Sequence, residues 1–268
     1  MPDAPISQRL TFARFQESDA PDLAAVLSDP EVTRNITANA ASPAQALDCA
    51  KRRIQWHNGA WAREGYGVWA LRRAGEARVI GWCGFAEPDF EGEDPEILYG
   101  LARAAWGQGL GGEAARAATD WYFRETDRPA YAAMIFRRLN PGSLALAAKL
   151  GMKYVGTRPY SDFMTDPPLA REVLDYEIWR LREGPCLDPL ALLFQAPYKA
   201  GQLVATGVAD PAEIEAALLE AARERLSAAK QDPADREQRV RHAFAEGQAE
   251  SQVDHYQLTR ADYGAAPI

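Results

Sequence analysis

The sequence predicts a mixed α/β protein with a helical extension towards its C-terminal end. Three observations carry this. Short alternating or wholly apolar runs interleave with runs of helical period. Four glycines crowd into WGQGLGGEA, residues 106–114, between a strand-like run and a helix-like one. Beyond Arg182 the composition shifts to helix-like, alanine-rich segments that begin on capping signals.

RLTFARF (9–15) alternates, with Leu10 and Phe12 on one side and Thr11, Ala13 and Phe15 on the other, and predicts a strand. Ser18-Asp19-Ala20-Pro21 starts a helix containing Ala25, Val26 and Leu27. Ser42-Pro43 is a better start, an N-cap followed by proline at the first helical position. That helix runs to about residue 60 with Leu47, Ala50, Ile54 and His57 on one face, which makes His57 a packed histidine rather than a ligand. YGVWALRR (66–73) and ARVIGWCGFAE (77–87) are strands joined by a hairpin at Ala74-Gly75-Glu76. An acidic loop, PDFEGEDP (88–95), leads to the strand EILYGLA (96–102). The glycine loop then opens a helix to about residue 125, with Leu110, Ala114, Ala117 and Trp121 on one stripe. AYAAMIF (130–136) is a buried-looking strand. Asn140-Pro141-Gly142-Ser143 starts a helix that Gly151 stops, and MKYVGT (152–157) and EVLDYEIWRL (172–181) are the last two strands.

Composition narrows the function. A hydrophobic content of 47% with 25% charged residues belongs to a soluble chain able to bury a core. The net charge of −8 argues against nucleic acid as a general partner. Cys49, Cys83 and Cys186 are far apart, which excludes a disulfide scaffold and a cysteine-rich zinc site and suits a reducing cytoplasm. His57, His242 and His255 are equally scattered, so no metal site is expected. No signal-peptide core and no membrane span is expected either.

Glycine lets the backbone adopt positive φ and approach a ligand, so successive N–H groups point into one concavity, and the helix N-terminus adds partial positive charge. Strand, glycine loop and helix thus predict an anion cradle for a phosphate or pyrophosphate. The G-x-G-x-G-G spacing and its mid-chain place fit a dinucleotide fingerprint poorly, and no Lys-Ser/Thr follows as a Walker loop requires.

In this context the chain resembles the GNAT superfamily of acyl-CoA-dependent N-acetyltransferases, and most the branch of ribosomal-protein N-terminal acetyltransferases. IGWCGF (80–85) resembles that branch's strand before the acidic loop, EILYGL its central strand, WGQGLGGEA its pyrophosphate loop, and LNPGSLALAAKLGMKYVG (139–156) its later N-x-x-S helix and Leu-Gly-aromatic turn. The likeness covers about residues 8–182. One position departs from the loop motif: Trp106 stands where Gln or Arg is usual. The resemblance implies a mixed, mostly antiparallel central sheet flanked by helices. It implies acetyl-CoA as cofactor, held by Leu101, Trp106, Gly107, Gln108, Gly109, Leu110, Gly111, Gly112, Asn140 and Ser143. The acceptor it implies is an amine, on a small molecule or a protein N-terminus.

Acetyl transfer to an amine needs a proton acceptor, since an ordinary ammonium has a pKa of about 10. Glu96, at the start of the central strand, is the candidate base. Ser143 is the candidate proton donor to the leaving sulfur and Tyr154 the runner-up, with Tyr99 similar. Asn140 and Ser143 also suit plain helix capping. The branch's acceptor pocket nominates Trp56, Trp61, Tyr66 and Trp82, residue types that also fill cores. The acidic loop, with Asp89, Glu91, Glu93 and Asp94, could attract a cationic amine or stand as a solvated turn.

Three segments are expected: an acetyltransferase domain over 1–183, a helical appendage over 184–250 and a polar, mobile tail over 251–268. From residue 184 the chain carries 8 Lys/Arg against 13 Asp/Glu. LALLFQAPYKAGQLVATG (190–207) is an apolar helix interrupted at Pro197. Asp210-Pro211-Ala212-Glu213 is a capping box opening a helix with Ile214, Leu218 and Ala221 on one stripe, and another helix follows over about 234–248. KAGQLVATGVADPAEIEAALLEAA resembles a small helical module near the C-termini of phage and plasmid primase-type proteins, which hints at a mobile-element origin. The appendage could cap a sheet face or make a homodimer contact. Two function classes stand: an N-acetyltransferase, including one for an unusual nucleobase amine or polyamine, and a non-catalytic acyl-CoA-binding module.

Overall fold

The computed structural model describes residues 4–33, 46–87, 94–135, 140–159, 167–183, 189–225, 232–249 and 252–265. Among them seven strands form one sheet: β1 (Leu10–Ala13), β2 (Val68–Arg73), β3 (Val79–Ala86), β4 (Glu96–Leu101), β5 (Ala130–Ile135), β6 (Lys153–Pro159) and β7 (Gln252–Thr259). Their spatial order is β1-β2-β3-β4-β5-β7-β6, antiparallel throughout except for β4 beside β5. The helices are α1 (Ala20–Leu27), α2 (Pro30–Thr33), α3 (Ala46–Glu64), α4 (Leu110–Glu125), α5 (Pro141–Leu150), α6 (Pro167–Arg182), α7 (Pro189–Val204), α8 (Pro211–Arg225), α9 (Pro233–Ala249) and the short α10 (Arg260–Ala265).

Local chemistry sets many of these boundaries. The Asp19 carboxylate accepts from the Gln16 N–H at 2.9 Å, fixing the single turn from which α1 departs. Gly75 turns the β2–β3 hairpin at φ 81. Asn140 caps α5 by accepting from the Ser143 N–H at 3.0 Å, and Gly151 ends that helix at φ 79. Asp210 accepts from the Ala212 N–H at 2.7 Å at the start of α8. The start expected at Ser42-Pro43 and most of the acidic loop, residues 88–93, lie outside the described residues.

Strand alternation divides the side chains between two faces. Tyr131, Ala133 and Ile135 of β5, with Ile97 and Leu101 of β4, join Leu258 of β7 and the buried stripe of α4 and α5 in one core. Leu98 and Trp82 look the other way, onto α1 and α3. On that same opposite face Met134 of β5 and Val253 of β7 meet a third cluster, built by α6, α7, α8 and α9. The face of α3 is rotated from the expected one: Ala50, Ile54 and His57 are buried with Arg53, while Leu47 is 44% exposed.

Three expectations are corrected. EVLDYEIWRL is not a strand but the body of α6; its buried Val173, Leu174, Glu177 and Leu181 follow helical spacing, which the dense apolar run had masked. Residues 252–259, expected in a polar tail, are β7, hydrogen-bonded between β5 and β6. The helices therefore form an insertion between β6 and β7, and the chain returns to complete its sheet. Pro197 does not interrupt α7. The crossing of α7 with α9 is close enough to outweigh the lost bond: a Cβ on Gly201 would stand 2.2 Å from the Phe244 carbonyl oxygen, and one on Gly247 2.0 Å from that of Tyr198.

Candidate active site

The parallel pair β4–β5 is registered at one position, Glu96 opposite Ala132, with the Ala132 N–H donating to the Pro95 carbonyl at 2.8 Å. Two residues on, the Met134 N–H donates not to β4 backbone but to Glu96 Oε1, at 3.3 Å. The strands part there, and the carboxylate spans the start of the gap.

The glycine loop lies beyond the open end of β4. The Trp106 indole N–H donates to the Leu101 carbonyl at 2.7 Å and folds the loop back on the strand. Gly107 and Gly109 have φ 72 and 76, the left-handed region that favours glycine. Gly109 is the N-cap of α4 and supplies no side-chain cap, so the N–H groups of Leu110, Gly111 and Gly112 in the first turn have no intrahelical acceptor. Gly111 and Gly112 are not held by φ; a Cβ on either would meet Leu101 or Leu146 at 3.8 or 3.9 Å, ordinary contact. Two arginines reach the loop from the β1–β2 edge. Arg9 Nη1 donates to the Gln108 carbonyl at 2.9 Å and Arg73 Nη2 to Gln108 Oε1 at 2.8 Å. Sequence reasoning missed both, because nothing local links them to a loop that lies 99 residues from Arg9 and 35 from Arg73. Arg9 is committed to Glu113 of the same helix turn, Nε and Nη2 each 2.6 Å from Oε2, and so braces the loop, while free N–H donors, a helix N-terminus and the Arg73 guanidinium fit a diphosphate.

Across the gap, the Tyr99 phenol stands beside the buried Ser143, the middle of β4 against the first turn of α5. Burial pushes the Tyr99 phenol up to about 12, against the opposing effect of the Ser143 hydroxyl, so it carries its proton at neutral pH. Tyr99 packs on the α4–α5 core whereas Leu98 packs on the α1–α3 core, so Ser143 and Glu96 stand on opposite faces of the split sheet. A proton acceptor on one side and a proton-bearing hydroxyl pair on the other suit a displacement that runs through the opening.

The other expected site residues scatter. Tyr154 lies on β6, with β5 and β7 between it and β4; it is 51% exposed and meets Tyr256 edge-on at 5.7 Å. It does not join Glu96 and Ser143. Trp61, Tyr66 and Trp82 are corrected from an acceptor surface to the core: Trp61 packs on Trp69 and Trp121, Tyr66 on Tyr122, and Trp82 under the Arg53 guanidinium and over Gly100. Trp56 is 45% exposed and tilts on His57. His57 is buried against Phe15, and burial, with the Arg53 charge second, holds its pKa well below the usual value. Of the acidic loop, Asp94 is described; it accepts from Gln257 Nε2 at 2.6 Å. Among the described residues no group of three or more His, Cys, Asp or Glu could hold a metal ion, and no helix is long and apolar enough to cross a membrane.

Residues 9–153 match a family model described as "Acetyltransferase (GNAT) domain". An uncharacterized protein of Bacillus subtilis, YkkB, is 30% identical over 157 residues, 57% of this chain and 86% of that protein. An uncharacterized N-acetyltransferase of Bacillus licheniformis, p20, is 34% identical over 119 residues, 44% of this chain and 64% of that protein. Among solved structures, a putative ribosomal-protein-serine acetyltransferase from Vibrio cholerae shares the fold with a TM-score of 0.50 and 17% identity, over 59% of this chain and 88% of that one.

Proposed function

This chain belongs to the GNAT acetyltransferase family, and from that membership we propose that it is an acetyl-CoA-dependent N-acetyltransferase that modifies a primary amine by direct attack in a ternary complex. Its mixed, mostly antiparallel sheet is the one such a fold requires. The observation that carries the proposal is the split between β4 and β5, with Glu96 on one face, Ser143 on the other and the glycine loop beyond its open end.

Acetyl-CoA, when bound, supplies the acetyl group as a thioester. The N–H groups of Gly107 to Gly112 would hold its pyrophosphate, with Arg73 beside the loop that Arg9 braces, and Asn140 and Ser143 would contact its arm. Glu96 takes the proton of the incoming ammonium. The Ser143 hydroxyl, with Tyr99 behind it, donates to the departing sulfur. The acceptor is a small-molecule amine or a protein N-terminus, and the buried thiols of Cys49 and Cys83, neither in a disulfide, suit the reducing cytoplasm.

Thiol release from acetyl-CoA with a panel of amines tests the activity; binding without turnover on any amine points instead to a non-catalytic acyl-CoA-binding module. Glu96→Gln is expected to lower kcat/KM at pH 7 by about 10²-fold or more and by much less near pH 10, where free amine is abundant. A pH profile parallel to that of the wild type removes Glu96 as the base.

A further inference from the structure

Arg53 shares the buried face of α3 with Ala50, Ile54 and His57 and is 5% exposed. Among the described residues no carboxylate pairs with its guanidinium, and its buried Nε has no hydrogen-bond partner. Burial pushes its pKa down to about 10, with the Cys49 thiol opposing, so Arg53 stays charged at neutral pH. The same charge helps to hold the pKa of His57 down. Taking a guanidinium out of water costs more than the face of one aromatic ring returns. A guanidinium presents several N–H donors in one plane and takes a carboxylate or phosphate in two parallel bonds. A buried donor set of this kind suits an anionic group.

Its place in the fold ties it to the split. The Arg53 guanidinium sits over the Trp82 ring, 4.6 Å from its centroid. That ring in turn covers β4: Trp82 and Gly100 are Cα partners, and an added Cβ on Gly100 would collide with the indole. Glu96, Leu98 and Gly100 alternate onto one face of β4, the face of the α1–α3 cluster that holds Trp82 and Leu98. β4 is registered with β5 at Glu96, so Gly100 lies in the stretch where the two strands have parted. Arg53 therefore stands above the opening on the same face as Glu96, about 13 Å along the strand from it.

We propose that Arg53 selects the acceptor: the amine that is acetylated carries its own carboxylate or phosphate group, which Arg53 binds while the nitrogen lies towards Glu96. The inference rests on the acetyltransferase proposal above and narrows its acceptor. Both ends of that molecule fall within the span of about 13 Å along β4, which fits a small amine joined to an anion rather than the N-terminus of a folded protein. An amine without the anion leaves the guanidinium buried and unanswered, and a site built around a polar group rejects the analogue that lacks it. Trp82 takes no part in contact with the acceptor; it carries the arginine.

Matched amines test this in the thiol-release assay: ε-aminocaproate against hexylamine for the carboxylate, and aminopropylphosphonate against butylamine for the phosphate. The anionic member of at least one pair is expected to have a kcat/KM about tenfold higher or more, carried mostly by KM. A preference confined to one pair names the anion. Arg53→Met, which keeps the length of the side chain over Trp82, should bring the ratio within that pair towards one, and Arg53→Lys, which keeps the charge, should retain part of it. A merely structural arginine would lower both members alike, and that result refutes the role. Equal turnover of both members of each pair by the wild type refutes it too. The anion is also read without turnover: the favoured anionic amine should raise the Tm of the wild type more than its partner at equal concentration, and the difference should vanish in Arg53→Met. Should Arg53→Met fail to fold, Arg53→Gln replaces it. Absence of turnover with every amine while the Tm difference persists removes the acetyltransferase proposal and keeps the anion site; turnover with no Tm difference removes the anion site alone.

Discussion

Gly109 and Gly112 stand three residues apart in the same loop, yet alanine should act on them in opposite directions. Gly109 sits at φ 76, and a Cβ there would have 3.6 Å to Arg9 Nη2, so space is not the obstacle. The obstacle is the left-handed backbone, which costs a non-glycine residue about 1–2 kcal/mol. Gly112 lies in the first turn of α4 without positive φ, and its Cβ would touch Leu146 at 3.9 Å. Both substitutions reduce the freedom of the unfolded chain by a similar amount, about 0.4–1 kcal/mol in favour of folding. That contribution cancels in the comparison. Gly112→Ala should therefore exceed Gly109→Ala in stability by about 1–2 kcal/mol, a Tm difference of roughly 2–8 °C for a chain of this size. Thermal melts of the two variants under one buffer measure it. Calorimetric titration with acetyl-CoA adds a second reading, since bending the Gly109 peptide away should weaken binding about tenfold or more. Equal melting temperatures would refute the assignment of strain to Gly109.

Three further outcomes are expected. Deleting residues 251–268 removes the strand hydrogen-bonded to both β5 and β6 and should give insoluble or unfolded protein, seen by circular dichroism; an unchanged melt would restore the picture of a dispensable tail. His57, its pKa depressed by burial, gives stability that is complete above about pH 6.5 and drains as the pH falls towards the lower folded value, because the unfolded chain then binds the extra proton. His57→Phe should flatten the dependence of Tm on pH between about 6.5 and 5, where the wild type loses up to about 1.4 kcal/mol per unit; an unaltered slope assigns that loss elsewhere. Tyr99→Phe removes the phenol hydroxyl that stands beside Ser143 and should cost about 1 kcal/mol, read from a shift of the urea midpoint at constant m-value.

What the sequence disclosed depended on how locally each feature is determined. The glycine loop was legible because positive φ at Gly107 and Gly109 is a property of the residues themselves, and the Asn140 cap because its acceptor bonds within its own turn. β7 was not. In QVDHYQLT polar groups fall on both faces, Asp254 on one and His255 and Gln257 on the other, and the alternation that marks a strand is absent from the letters. EVLDYEIWRL failed for the opposite reason: with so many apolar residues it satisfies a period of two and of 3.6 together. The tryptophans show a third limit. Whether Trp61 and Trp82 face a ligand or a core is settled by Trp121 and Gly100, residues far along the chain. Residue type and chain position nominated Glu96, and family resemblance Ser143, but only the sheet shows that they stand on opposite sides of it.

The insertion between β6 and β7 also sets a timetable. Ala130 pairs with Thr259 and Lys153 with Gln257, so the partners of two strands leave the ribosome more than a hundred residues after them. At about 5–20 residues per second, β5 and β6 spend roughly 5–25 s with unpaired edges while the four helices emerge. Their own core, α6 to α9, can collapse in that interval from largely local contacts and shelter Met134 on the exposed face. The helical unit is then a resident chaperone for an unfinished sheet, and the last strand to be made is the one that seals it.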